Sequence, residues 1–358
     1  MPLCLLVIAA LVILLHGCAR QAGEPVEAIP TGETAGRTVS LMTFNVQNLF
    51  DAVDDPGKDD RTYLPIEAKL SREHRSACGR IENPRWRDEC LNWDWDEGVV
   101  ERKLAVVADA ILQVEDGRGP DLVVLQEVEN IRILERLRTV YLARAGYRPA
   151  ILVEGGDARG IDVAFLSRLE HVGEAVLHPI PFSGFPPERI ADTRGILEAT
   201  FRLPDGTLLT GFAVHFPAPY HPYEMRIEAY MHLAELRSRL PPGRAAFAAG
   251  DFNTPVDEDR DRRMLARYVR PVWQVGHEAG CRGCPGTYYY RPKEQWSFLD
   301  MILWSGGDSG WGLLENSARL ADDTPAQMTA EGHPARFRMP EAEGVSDHLP
   351  LVVEIGKR

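Results

Sequence analysis

The stretch Ala249-Gly250-Asp251-Phe252-Asn253 sets a carboxylate and an amide two residues apart at the end of an apolar run. On an extended backbone, side chains two apart point the same way. That arrangement suits a phosphate held between a metal ion and an amide donor. Asp and Asn are also ordinary turn residues, so one such tip decides little. The pattern recurs, however. Apolar stretches end in Asn45, Glu127, Asp162, His215, Asp251 with Asn253, Asp300, and Asp347 with His348. Burying these carboxylates apart from one another would cost more than a domain's stability margin. Gathered round a divalent cation, they are compensated. Oxygen donors at this density favour Mg²⁺, with Mn²⁺ or Ca²⁺ as alternatives, over zinc.

The elements that must position these residues follow from hydrophobic period. Val39–Phe50 reads as a strand, Val99–Val114 as a helix, Asp121–Val128 as a buried strand and Glu129–Ala145 as a helix. The chain then changes character. Ile151–Val153, Gly160–Leu166, Gly195–Phe201 and Leu208–His215 read as successive strands with turn residues between them, which favours antiparallel pairing. Pro222–Leu240 is a helix, Ala245–Ala249 a buried strand, and Asp257–Tyr268 the solvated face of another helix. Thr287–Tyr290, Ser297–Trp304 and Leu351–Ile355 complete the strands, with a polar loop region at Ser305–Gly344. Asp51–Gly98 is too long and polar for an ordinary loop and reads as an insertion pinned by Cys78 and Cys90.

The chain has 358 residues and a formal net charge of −13. That balance argues against a broad cationic surface and against tight charge-driven binding to long duplex DNA. A metal-centred site still binds phosphate, because the ion supplies positive charge locally. Leu3–Leu15 is apolar, too short for a membrane span, and fits the core of an export signal. It ends in Leu15-His16-Gly17-Cys18, which resembles a bacterial lipoprotein box and would make Cys18 the lipidated residue. A plain cleaved signal or a membrane anchor is the alternative. Residues 19–38 then read as a flexible tether, and 39–358 as the folded domain. Four cysteines remain, and an even number in an exported protein favours disulfides. Cys78–Cys90 with Cys281–Cys284 is the simplest of three pairings; a four-cysteine zinc site competes with it.

Thr43-Phe-Asn45, Leu125-Gln-Glu127, Val214-His215, Gly250-Asp-Phe-Asn253, Phe298-Leu-Asp300-Met-Ile302 and Ser346-Asp-His348 occur in the order seen in the endonuclease/exonuclease/phosphatase superfamily, which the chain resembles. The resemblance implies an α+β fold, a four-layer α/β/β/α sandwich of two mostly antiparallel sheets. It implies metal ligation by Glu127 and Asn45, with Asp347 as a third ligand. Asp251 would orient or deprotonate water, Asn253 would donate to a phosphate oxygen, and Asp300 would fix the tautomer of His348. His215 would contact phosphate or protonate the leaving group, with Asp162 as its orienting carboxylate. Arg194 and Arg159 would add charge to the phosphate pocket, unless they are structural ion pairs. Tyr288–Tyr290 read as sheet aromatics. The function implied is a divalent-metal-dependent phosphodiester hydrolase, with an exported nuclease acting on DNA or RNA as the leading case. A phospholipid or sphingomyelin phosphodiesterase is the runner-up, and a non-catalytic surface-binding lipoprotein the third. A monomer in the bacterial cell envelope, held to the membrane by an N-terminal lipid anchor, or else secreted, with nucleic acid as substrate and no protein partner, is the corresponding expectation.

Overall fold

Two central strands explain the architecture. Strand β1, Val39–Leu49, is buried along almost its whole length. A strand covered on one face only would alternate apolar with polar; a continuous apolar run marks a sheet covered on both faces. Its residues divide accordingly. Met42, Phe44 and Val46 pack toward a helix layer, among Leu104, Val107 and Ile111. Val39 and Leu41 face the second sheet, among Phe247 and Ile302. Strand Ala245–Asp251 divides the same way: Phe247 and Ala249 face the first sheet, while Ala246 and Ala248 face a helix through Tyr230 and Leu233. The order is helix, sheet, sheet, helix. Each large apolar side chain so buried contributes roughly 1.5–3 kcal/mol.

The structure is a computed structural model that describes residues 38–357. The export signal, Cys18 and the tether up to residue 37 lie outside the described residues. The remaining long strands are β2 (Leu122–Val128), β3 (Asp162–Ser167), β4 (Ile196–Arg202), β5 (Leu208–His215), β6 (Ala245–Asp251), β7 (Asp300–Ser305) and β8 (Leu351–Lys357). The first sheet runs Trp311–Leu313, β8, β1, β2, β3, Ile151–Leu152. The second runs Gln274–Val275, β7, β6, β5, β4, Glu170–His171. Among these, β1 with β2 and β5 with β6 pair in parallel, and their other pairings are antiparallel. The expected two-sheet α+β sandwich is therefore present, with mixed sheets.

The Asp51–Gly98 stretch is not a long loop. It contains helices α1 (Arg72–Gly79) and α2 (Pro84–Asn92), and the start of α3 (Glu97–Leu112). Each begins at a side-chain cap: Ser71 accepts from His74, Asn83 from Arg85 and Trp86, and Asp96 from Val99. Cys78 is bonded to Cys90, tying α1 to α2, and Cys281 to Cys284. These are the pairings expected as simplest. They leave no four-cysteine zinc site among the described residues. Helix α4, Tyr223–Arg239, covers the outer face of the second sheet. The expected helix at Glu129–Ala145 is shorter, Ile131–Arg136 followed by a wider turn at Leu137–Tyr141. The polar region after Ser305 supplies two short strands, Trp311–Leu313 and Arg319–Leu320, to the first sheet.

Candidate active site

Strand register gathers the polar tips. In the second sheet, Asp251 at the end of β6 lies opposite His215 on β5 and opposite Asp300 on β7. Three ionisable side chains thus stand in a row across three neighbouring strands. Gly250 makes the close approach feasible: its φ is +148°, and a Cβ there would lie 1.9 Å from the carbonyl oxygen of Val214. In the first sheet, Asn45 lies opposite Gln126, next to Glu127. The amide of Asn45 joins the two sheets, donating to Asp251 Oδ2 at 3.2 Å and to Glu127 Oε1 at 3.4 Å. Glu127, Gln47, Asn48 and Asn253 all have positive φ. Non-glycine residues held there carry backbone strain, which clusters at functional sites.

The loop carrying His348 is tied back to β1. Ser346 Oγ donates to the Asn45 carbonyl at 2.7 Å and accepts from His348 N–H at 3.0 Å. Gln47 Oε1 accepts from the N–H groups of Phe337 and Asp347. The fully buried Lys103 on α3 donates to Val345 O at 2.6 Å. His348 Nδ1 then meets Asp300 Oδ2 at 2.7 Å, and its Nε2 lies 4.0 Å from Asp251 Oδ2. Burial lowers the His348 pKa, but the Asp300 charge and hydrogen bond, with Asp251 and Asp347, outweigh it and raise it to about 10. His348 is therefore an imidazolium at neutral pH, with Nε2 free to donate. Asp251 is pushed up to about 7, first by burial and then by Asp300, against the opposing charge of His348. A carboxylate near 7 is matched to taking a proton at neutral pH. His215 goes the other way. Burial first, then Arg194, Arg159 and His348, hold its pKa well below the ordinary value. Its Nε2 is 3.6 Å from Asp251 Oδ2, and its buried Nδ1 has no partner.

Several expectations need correction. Asp162 does not orient His215: its Oδ1 accepts from Gly155 N–H at 3.0 Å, and the carboxylate beside His215 is Asp251. The Asp347 carboxylate, expected as a third ligand with Glu127 and Asn45, is instead engaged by Arg336 at 2.8 Å. Asn253 does not hold out a free donor. Its side-chain amide is engaged by Phe216 O and Asp251 Oδ2, both at 3.1 Å, so it fixes Asp251. Arg194 is in an ion pair with Asp157 at 3.3 Å, and Arg159 donates to Asn48 Oδ1 at 2.5 Å. Both guanidiniums still act on His215. Sequence reasoning gives no place to Gln47 or Lys103, which act through backbone carbonyls and N–H groups. It gives none to His221, which pairs with Asp192 at 3.1 Å. Tyr288 is more than a sheet aromatic, because its ring packs 5.0 Å from that of His348.

The donors fit a hard cation. Glu127 and the amide oxygen of Asn45 would hold it, and on β7 the buried Asp300 Oδ1 has no hydrogen-bond partner. The amide oxygen of Asn45 accepts from Gln47 N–H at 3.0 Å and retains a second lone pair. Asp251, Asp300 and His348 also place one ligand atom each within 4.8 Å of one another. The 2.7 Å bond between Asp300 and His348 makes that trio a carboxylate-histidine pair with a neighbouring acid.

The two packed sheets thus bring acid and imidazole groups together where their strands end. The family model of the endonuclease/exonuclease/phosphatase family matches residues 42–348, and the chain belongs to that family. Its members typically use divalent metals. Among solved structures, the chain is similar to a family protein from Bacteroides thetaiotaomicron, with 16% identity, a TM-score of 0.53, and coverage of 90% of this chain and 99% of that one. It is also similar to truncated TDP2 from Caenorhabditis elegans, at 15% identity and a TM-score of 0.52, covering 90% and 98%. A third similar structure, from Beutenbergia cavernae, has 16% identity and a TM-score of 0.52, covering 90% and 72%. No curated protein sequence matches the chain.

Proposed function

We propose that this protein is a divalent-metal-dependent phosphodiester hydrolase, acting outside the cytoplasm as a nuclease on DNA or RNA. The observation that carries the reading is the Asp300–His348 pair set beside Asp251, with Glu127 and Asn45 across the sheet boundary. Water attacks phosphorus as the ester P–O bond breaks, and Asp251 takes the water's proton. The His348 imidazolium donates from Nε2 to a phosphoryl oxygen, where charge develops. His215, held neutral by burial and by the charges of Arg194 and Arg159, would face the same phosphate. Glu127 and Asn45 would hold a cation, Mg²⁺ in this reading, which would supply charge neutralisation as the phosphoester bond breaks. The lipoprotein-like ending at Cys18 supports anchorage in the bacterial cell envelope.

Hydrolysis of bis-p-nitrophenyl phosphate tests the chemistry. Activity should require Mg²⁺ or Mn²⁺ and vanish with EDTA. Chelator-resistant hydrolysis, or none in any metal, contradicts the proposal. The net charge of −13 favours a second reading in which the substrate is a phospholipid rather than a polyanion. Plasmid DNA and RNA set against sphingomyelin vesicles separate the two.

A further inference from the structure

The segment that leaves β5 carries an exposed aromatic ring that the proposed chemistry does not use. Tyr220, five residues beyond His215, is 69% exposed. An exposed side chain ordinarily keeps its rotamer freedom. Tyr220 is instead held at two points. Its hydroxyl donates to Asp192 Oδ2 at 2.6 Å, and its ring lies 4.3 Å from that of the buried His221. His221 Nε2 shares the same carboxylate oxygen at 3.1 Å. One face of the Tyr220 ring is thereby covered, and the other is open to solvent.

The anchor is continuous with the proposed centre. Asp192 O accepts at 3.3 Å from Arg194, one of the two guanidiniums whose charge acts on His215. Next to Asp192, Ala191 O accepts from Ala158 N–H at 2.9 Å. The adjoining Arg159 donates to Asn48, whose N–H donates to Glu127 Oε2 at 2.9 Å. The ring is thus tied to both sides of the site, through Arg194 to His215 and through Arg159 to Glu127. A cation stands beside it. Arg189 Nη1 is 3.5 Å from His221 Nδ1, and among the described residues this half-buried guanidinium has no carboxylate partner.

We infer that Tyr220 and Arg189 form a nucleotide subsite: the open ring face stacks a base of the substrate, and Arg189 meets a phosphate flanking the scissile one. Aromatic rings set among cations are how single strands are held, since every base has a π-face and every link a charge. A ring fixed before the ligand arrives loses little freedom on binding. An aromatic ring also takes the quaternary ammonium of a choline lipid, but the neighbouring guanidinium disfavours that cation. The inference rests on the nuclease reading and adds to it a preference for unpaired bases.

Binding of a fluorescein-labelled phosphorothioate oligothymidylate, which resists cleavage, tests this by anisotropy on the full chain in Mg²⁺. Tyr220→Ala should weaken binding about ten-fold, within the range that stacking contributes per base. Tyr220→Trp should bind within about three-fold of the wild type. So should Tyr220→Phe, which keeps the ring and drops the bond to Asp192. An abasic strand of equal length should bind Tyr220→Ala and the wild type alike. Arg189→Gln should lower the slope of log affinity against log salt by about 0.7, the loss of one phosphate contact. Equal oligothymidylate affinity in Tyr220→Ala and the wild type, a matching loss with the abasic strand, or no binding of either strand would overturn the inference. So would a Tyr220-dependent affinity for sphingomyelin vesicles with none for oligothymidylate. Because the readout is binding, failure here is distinct from failure to hydrolyse bis-p-nitrophenyl phosphate.

Discussion

Asp300→Asn is the sharpest probe of the proposed chemistry. The substitution keeps size and shape, and it removes the charge that faces His348 Nδ1 at 2.7 Å. His348 stands at about 10 against an ordinary 6.5, although burial alone would lower it. A difference of that size is on the order of 5 kcal/mol in favour of the imidazolium. Asp300 supplies the largest opposing contribution, with Asp251 and Asp347 behind it. Losing an adjacent opposite charge typically moves a pKa by about 1–3 units. The alkaline limb of kcat against pH, near 10 in the wild type, should therefore fall to about 7–9. At pH 8.5 the rate should drop by up to about thirty-fold, the loss expected when the His348 pKa has fallen to about 7. Stability carries the same sign. A pKa raised by folding contributes stability fully below 6.5 and loses it as pH rises through about 10. Wild-type melting should fall across that window, and Asp300→Asn should show a shallower slope that ends at a lower pH. The assay is bis-p-nitrophenyl phosphate hydrolysis from pH 5 to 10.5, paired with the ¹⁵N shift of the His348 ring. A variant with the wild-type alkaline limb and a rate within two-fold would refute the reasoning.

Other outcomes follow from the same geometry. Glu127→Gln should raise the Mg²⁺ concentration needed for half-maximal activity by about ten-fold or more, the scale seen when a ligand's support is lost; an unchanged metal titration would remove Glu127 from the cation. Gly250→Ala should abolish activity and lower the melting temperature, because its Cβ would meet the Val214 carbonyl at 1.9 Å; a fully active variant would contradict the strand geometry. Replacing Cys78 and Cys90 together by Ser opens a loop of sequence separation 12 and should cost about 3 kcal/mol in denaturant unfolding. An unaltered midpoint would mean that the bond does not tie α1 to α2 in solution.

The strand tips are legible in the sequence because a buried apolar run that stops at Asp, Asn, Glu or His carries a polar group into the interior, where only a partner or an ion offsets its burial. Asp251 and Asp300 stand out on that ground, and register on β6 and β7 brings them together. Partners within the site are harder to read, since sequence order carries no distance. Asp162 also borders an apolar run, as the first residue of β3, yet its carboxylate serves the turn at Gly155. Asp347 adjoins His348 in sequence, but neighbouring residues on an extended segment point to opposite sides, and its carboxylate meets Arg336. Helices α1 and α2 escape a periodicity reading because they lack an apolar stripe. Each buries little beyond its cysteine and, in α1, His74, and caps and the Cys78–Cys90 bond mark them instead. Lys103 is hidden within an amphipathic helix, although a lysine on the buried face is a legible anomaly.

Catalysis of the proposed kind requires Glu127, Asp251 and His348 to share the surroundings of one cation and one phosphate. The most direct measurement loads the protein with Mn²⁺ and a non-hydrolysable phosphonate diester, then records relaxation of the ³¹P nucleus and of the His348 ring. Both should broaden together in the wild type, and neither should in Glu127→Gln. Broadening of the phosphorus without the histidine, or of both with Glu127 replaced, would contradict a shared site.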